Sequence, residues 1–151
     1  MEIDLLKKTL EKQIQNLRNL YEITENKQKA LIGRNNNLLS ECLQNEEKLL
    51  FAINEEEKKR LSLIENIYAK MSIDEKQPKL DVLLKHLDSS LAKDDVKFIE
   101  SAKEVIGKYS RAIADQNYKN LYLIEQAKSF ISQTINILKS TNKKSMVDRK
   151  I

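Results

Sequence analysis

Residues that turn a polypeptide chain tightly are almost absent from this sequence. Among 151 residues there are two glycines, Gly33 and Gly107, and a single proline, Pro78. An all-β or α/β fold needs many more turn residues, whereas a chain rich in Leu, Ile, Lys and Glu, with 33 % charged residues, is typical of long helices and coiled coils. The sequence therefore predicts an all-α fold.

The first seventy residues have the pattern of two helices that turn back on each other. Apolar residues recur with the helical period up to residue 32, and the stripe is wide enough to touch two neighbouring helices. Gly33 is predicted to end this helix, and one of the asparagines at positions 35–37 to cap the next. We expect helices over about 2–32 and 37–71, paired as an antiparallel, coiled-coil-like hairpin.

The apolar stripe of the second helix is interrupted by charged residues, above all by the run EEEKKR at positions 55–60. One interpretation is a solvated face with ion pairs between residues three or four positions apart. The other is that Glu57 and Arg60 form a buried polar layer, which fixes the register of the hairpin. The sequence alone leaves both open.

The second half of the chain is predicted to supply a linker and a long helix. Residues 72–78 (SIDEKQP) form the linker, and a short Leu-rich helix over about 79–91 follows. After Asp94 and Asp95, expected as the N-cap pair, a long third helix runs over about 95–139. Residues 1–139 would then form one domain, an elongated three-helix bundle.

Residues 140–151 are polar and aperiodic, and they are predicted to be a disordered basic tail. The net charge of +4 arises from residues 139–151, which hold five basic side chains and one acidic one. The body of the chain is neutral, so it has no basic stripe of the kind that binds nucleic acid. We expect no nucleic-acid partner.

The residues that carry most enzyme chemistry are scarce. His86 is the only histidine, Cys42 is the only cysteine, and there is no glycine-rich phosphate loop. The sequence therefore predicts no catalytic site, no metal site and no cofactor. The longest apolar run, 49–53, is far below the ~20 residues that span a bilayer. With no secretory signal at the N-terminus, the chain is predicted to be cytoplasmic and not inserted in a membrane.

Three amides interrupt the apolar stripe of the long helix: Gln116, Asn117 and Asn120. Buried amides need hydrogen-bond partners, because an unpaired polar group is costly away from water. They could form a satisfied layer that sets the register of the bundle. Alternatively, they could line a polar notch in a groove that closes on an amphipathic helix of a client protein.

Several segments resemble, in the same order, the FlgN family of flagellar type III export chaperones. The first is ALIGRNNNLLSECLQNEEKLL at positions 30–50, where a helix ends in small and polar residues and the next begins with spaced leucines. The second is EEEKKRLSLI at 55–64. The third is NYKNLYLIEQAKSFI at 117–131, which resembles the family's Asn-x-x-Asn-x-Leu pattern through Asn117 and Asn120, with leucine at 121 and 123. Together these pieces extend over about residues 5 to 139.

The resemblance implies a cytoplasmic chaperone that binds the C-terminal amphipathic helices of the hook–filament junction proteins FlgK and FlgL. Such a chaperone prevents premature assembly of its clients and delivers them to the export gate. The long helix is then expected to carry the partner-binding residues, which are Asn117, Asn120, Leu121, Leu123, Ile124, Phe130 and Ile131.

In the family, the C-terminal tail tends to contact the export gate protein FlhA through a Tyr-containing element. The corresponding residues here would be Lys143, Lys144, Val147 and Asp148, but no tyrosine follows Tyr122. The alternative function is that of a structural or adaptor coiled-coil protein, which uses its apolar stripes for self-association.

Overall fold

The structure is a computed structural model that describes residues 2–87 and 93–150, with side chains up to residue 141. Helices account for most of the described residues, which contain no β-strand. The prediction of an all-α fold is therefore confirmed. In chain order the helices are α1 (Glu2–Ile32), α2 (Asn36–Lys70), α3 (Leu80–Leu87) and α4 (Lys93–Lys150).

The turn between α1 and α2 lies where the sequence predicts it, but the strained position is Arg34 and not Gly33. The N–H of Asn35 donates to the carbonyl of Ala30 (2.9 Å), which closes the end of α1. Arg34 takes a left-handed φ of 53°, whereas Gly33 has no positive φ. The side chain of Asn35 then accepts from the N–H of Leu38 (3.0 Å) and caps α2.

The hairpin of α1 and α2 is antiparallel, as expected. Glu2 pairs with Lys70 (2.8 Å) at one end, and Lys27 pairs with Glu46 (2.8 Å) near the turn. Residue numbers therefore fall along α2 as they rise along α1. These two contacts fix the register of the hairpin.

α4 runs parallel to α1. Lys7 pairs with Asp95 (2.8 Å), and the side chain of Asn120 bonds to the carbonyl of Thr24 (2.9 Å), so residue numbers rise together in the two helices. α1 packs against both α2 and α4, while no Cα atoms of α2 and α4 lie within 8 Å of each other in the described residues. We expected the long helix to pack along the hairpin; its backbone lies along α1 alone.

α3 lies between α2 and α4 at the end of the molecule opposite the hairpin turn. At this end all four helices contribute to one core, and burying a Leu or Ile side chain stabilises the fold by about 1.5–3 kcal/mol. Leu84 is half-buried, and Leu91, also expected on the apolar face, lies outside the described residues. The core residues are Leu6, Leu10, Ile64, Ile67, Tyr68, Leu80, Leu83, Leu87, Val96, Ile99 and Ala102.

α4 is longer than the sequence predicts at both ends. It begins at Lys93, so Asp94 and Asp95 lie in its first turn and do not cap it. We expected an end near Lys139, whereas the helix continues to Lys150. The expected disorder of residues 140–151 stays a prediction. No glycine or proline follows Gly107 to stop it. With 58 residues, α4 is about 87 Å long, whereas the 31 residues of α1 reach about 46 Å.

Candidate partner-binding surface

The apolar seam of α4 extends beyond the helix that covers it. Up to Asn120, positions spaced three and four apart pack against α1 or hydrogen-bond to its backbone. α1 ends at Ile32, but the same spacing continues through Leu123, Ala127, Phe130, Thr134 and Ile137. We call residues 123–141 the arm of α4.

Large apolar side chains of the arm are exposed. The exposed fraction is 57 % for Phe130, 56 % for Ile131 and 65 % for Ile137, and Ile135 and Leu138 are also exposed. A contiguous exposed apolar patch of this kind marks an interaction surface.

The base of the arm faces the hairpin turn across an open groove of about 720 Å³. The guanidinium carbon of Arg34 lies 5.4 Å from the centre of the Phe130 ring, a cation–π distance. The hairpin side of the groove is formed by Ala30, Leu31, Ile32, Arg34, Asn36 and Leu39, and the α4 side by Leu123, Gln126, Ala127, Phe130 and Ile131.

Just below this groove, Gln116 and Asn120 form a buried amide layer. Asn120 donates to the carbonyl of Thr24 (2.9 Å) and accepts from the side-chain N–H of Gln116 (3.2 Å). Only 2 % of Asn120 is exposed, whereas its neighbour Asn117 is exposed. The structure therefore has a hydrogen-bonded amide layer between α4 and α1, and not a polar notch that is open to a client. Asn117 is not part of this layer.

The structure brings three of the predicted partner-binding residues together: Leu123, Phe130 and Ile131 line the groove. Leu121 is exposed and Ile124 is half-buried, both nearer the start of α4 than Phe130. Asn120 is committed to contacts within the chain.

The backbone at Lys143, Lys144, Val147 and Asp148 is helical, but their side chains lie outside the part that the structure describes. Gate contact by these residues is therefore still a prediction.

A groove between the long helix and the hairpin was expected, but no residue on its hairpin side was singled out from the sequence. Leu31, Ile32 and Leu39 continue the apolar stripes of the hairpin, so the periodicity assigns them to the core. The available signal was length: the predicted stripe of the long helix, residues 99 to 137, is longer than the predicted first helix. A seam that is longer than its partner must leave apolar positions uncovered.

The charged run of α2 combines both interpretations of its sequence. Glu57 pairs with Arg60 within the helix and also accepts a hydrogen bond from the side chain of Gln13 (2.7 Å), so a polar layer does reach α1. Among the acidic side chains that the structure describes, however, the most buried is Glu56, which the sequence did not single out.

Glu56 is 5 % exposed, and its carboxylate lies 3.1 Å from the Nζ atoms of both Lys12 and Lys59. Burial acts to raise the pKa of Glu56, but the hydrogen bonds and charges of the two lysines outweigh it, so the pKa lies below its ordinary value. Glu56 is therefore a charged link between α1 and α2, and it belongs to the scaffold.

Nothing in the described residues forms a metal site, since no three His, Cys, Asp or Glu side chains converge there. His86 is exposed. Cys42 is buried, and burial raises the pKa of its thiol, so it packs as a small hydrophobe. None of the described helices is long and apolar enough to cross a membrane.

A long helix with an uncovered apolar seam beside a helical hairpin is an arrangement suited to holding another helix. The family model described as "FlgN protein" matches residues 1–147. The chain belongs to the FlgN family. Membership makes it a chaperone of flagellar type III export, from a family that is not enzymatic. No curated protein and no solved structure matches the chain.

Proposed function

We propose that this FlgN-family chaperone acts in the cytoplasm on the hook–filament junction proteins FlgK and FlgL. It binds their C-terminal amphipathic helices, prevents premature assembly and delivers them to the type III export gate. The observation that supports this proposal is the exposed arm of α4, which faces the groove at the hairpin turn.

The groove has the chemistry that an amphipathic helix recognises. Such a helix presents apolar residues at i, i+3, i+4 and i+7, and it binds by laying this face into an apolar groove. Phe130 and Ile131 offer large apolar surfaces that are exposed in the free chain. Each such side chain, when fully buried, contributes about 1.5–3 kcal/mol.

Polar contacts would orient the client within the groove. Asn120 cannot serve, because both of its amide atoms bond within the chain. Asn117 is exposed on the same helix and takes this role in our proposal. Leu121, Leu123 and Ile124 add apolar contact beside it.

Delivery to the gate is assigned to the C-terminal end of α4. In our proposal Lys143, Lys144, Val147 and Asp148 contact FlhA. The support is the family's use of its tail for this contact, and the lack of a tyrosine beyond Tyr122 sets this chain apart.

Binding to the C-terminal segments of FlgK and FlgL from the same cell, measured by titration calorimetry, tests the client assignment. We expect binding at micromolar concentration or tighter, and at least a tenfold loss for Phe130→Glu. The matched control is Phe51→Glu, since Phe51 is 69 % exposed on α2 and does not line the groove. If neither segment binds the wild-type protein at micromolar concentration, the client assignment is wrong.

The alternative is a structural or adaptor protein whose arm pairs with the arm of a second copy. The heptad spacing of the arm favours it, because such a seam can form a coiled coil with an identical helix. Light scattering after size exclusion separates the two functions: a dimer that Phe130→Glu dissociates, with no binding of either client segment, favours the alternative.

A further inference from the structure

α2 and α4 form the two sides of a trough. α3 occupies its lower half, the half farther from the hairpin turn. On the side of α4, Asp81 of α3 pairs with Lys103. Leu83 and Leu87 of α3 share a core with Ile99 of α4. One side of the trough is therefore a continuous face of α4.

The other side of the trough is formed by α2. Leu61 of α2 faces α3 across a cavity of about 400 Å³, which Leu80 and Lys103 also line. Tyr68 of α2 donates to the carbonyl of Lys79 (3.1 Å), where the chain enters α3. α3 is thus held from both sides.

The same trough continues towards the hairpin turn. An α-helix has 3.6 residues per turn, so a residue about 18 positions away lies on the same face, about 27 Å along the axis. On α4, Asn117 therefore lies on the same face as Ile99, and Leu121 lies on the same face as Lys103. Ile124 likewise lies on the same face as Ile106, which packs against the lower core.

α2 runs in the opposite direction, so the equivalent residues lie 18 positions earlier. Leu50 lies on the same face as Tyr68, and Leu43 lies on the same face as Leu61. The positions that face α3 therefore have equivalents nearer the turn, with leucine in place of Tyr68 and Lys103 and asparagine in place of Ile99. We call the space between these residues the upper trough; its two sides are formed by Leu43 and Leu50 on α2 and by Asn117, Leu121 and Ile124 on α4.

The two sides of the upper trough lie at the same position along the axis of α1. Glu46, between Leu43 and Leu50, pairs with Lys27 of α1. Asn120, between Asn117 and Leu121, bonds to Thr24, only three residues earlier in α1. Both sides therefore stand over the same turn of α1.

In the described residues the upper trough has no counterpart of α3. Leu43, Leu50 and Leu121 are each between 43 % and 53 % exposed. The equivalent positions further down are Leu61, which faces α3, Tyr68, which bonds to the residue before α3, and Lys103, which pairs with Asp81 of α3. No Cα atoms of α2 and α4 lie within 8 Å of each other in this part of the chain, so the two sides do not close on themselves.

We infer that the client helix lies in the upper trough, end to end with α3 and between α2 and α4. This inference rests on the proposed function and adds α2 as a second side of the client site. The support is continuity: α3 already fills the lower part of the same trough.

α3 also indicates the chemistry of the occupant. Its sequence, LDVLLKHL, places leucine at 80, 83, 84 and 87, which is the i, i+3, i+4, i+7 pattern. Asp81 of α3 pairs with Lys103, and the residue equivalent to Lys103 in the upper trough is Leu121. We therefore expect the client to have an apolar residue where α3 has Asp81. The residues that form the upper trough extend over about two turns of each helix, and Leu39, one turn from Leu43, lines the groove beside the arm.

The test uses the full-length chaperone and synthetic peptides of the C-terminal helices of FlgK and FlgL. We expect the double variant Leu43→Glu/Leu50→Glu, and separately Leu121→Glu, to weaken peptide binding at least tenfold. Phe51→Glu is the matched control, because Phe51 lies on α2 outside the trough. Circular dichroism checks folding, and a photo-crosslinking peptide mapped by mass spectrometry is expected to label residues 43–50 of the wild-type protein.

The outcomes separate this inference from the proposed function. If the peptide binds, Phe130→Glu abolishes binding and Leu43→Glu/Leu50→Glu binds normally without crosslinks to α2, the inference is wrong and the proposed function stands. If neither peptide binds the wild-type protein, both are wrong. A wild-type dimer that Leu43→Glu/Leu50→Glu dissociates would assign the trough to a second copy and overturn the inference.

Discussion

The two halves of α4 share one heptad spacing but have different surroundings. Residues 93–120 pack along α1 and bury Ile99, Ala102 and Ile113, whereas the arm, residues 123–141, leaves Phe130 and Ile137 exposed. The difference arises from length, because α1 ends at Ile32. An apolar stripe therefore shows that a helix has a partner face, but not whether the same chain supplies the partner.

The largest expected contrast between the halves is in stability. Leu10 is fully buried where α1 meets the lower core, so Leu10→Ala should cost about 2–5 kcal/mol through lost burial and a cavity. Ile137→Ala on the arm should change the free energy of unfolding by no more than about 0.5 kcal/mol. Urea denaturation followed by circular dichroism measures both. Equal costs would mean that the arm is packed in solution.

A smaller effect is expected at the amide layer, where the packed half of α4 ends. Asn120→Ala removes the bonds to Thr24 and Gln116 and should cost about 1–3 kcal/mol. Asn117→Ala, three residues earlier and exposed, should leave the free energy of unfolding nearly unchanged. If Asn117→Ala lowers the free energy of unfolding as much as Asn120→Ala does, the packed half of α4 does not end at the amide layer.

The smallest effect compares ion pairs in the packed and exposed regions. Glu56 is buried between lysines, whereas Glu125 and Lys128 form an exposed pair (3.7 Å) on the arm. Glu56→Gln should cost up to about 1 kcal/mol at neutral pH, and Glu125→Gln should cost almost nothing.

The cost of Glu56→Gln should depend on pH. Folding lowers the pKa of Glu56 below its ordinary value of 4.5, so the carboxylate stabilises the fold above pH 4.5. This contribution is lost as the pH falls through the lower, folded pKa. Unfolding curves between pH 7 and pH 3 should therefore converge for the wild-type protein and Glu56→Gln. A constant difference across this range would contradict the assignment.

The hairpin could be predicted from the sequence because its signals are local. Periodicity gave the two helices, and the asparagines after Gly33 gave the cap, which the structure assigns to Asn35. The left-handed residue after α1 is Arg34, although glycine is the usual choice at that position and Gly33 is its neighbour.

The surroundings of α4 could not be predicted in the same way. Its parallel packing on α1 depends on contacts between residues about 90 positions apart, such as Lys7 with Asp95. The spacing of apolar residues along one helix does not show which helix it contacts. The burial of Glu56 was missed for the same reason, because Lys12 lies on another helix. The sequence therefore supplied candidate residues on α4, from Asn117 to Ile131, but none on the hairpin side of the groove.

The parallel course of α1 and α4 has a mechanical consequence. Tension applied to the far end of α4, against an anchor at the start of α1, loads their common seam in shear. Every layer from Ile99 to Asn120 then resists at the same time, whereas an antiparallel pair would peel apart one layer after another. α4 is thus held along residues 93–120 in the geometry that best resists its extraction by a pull on the arm.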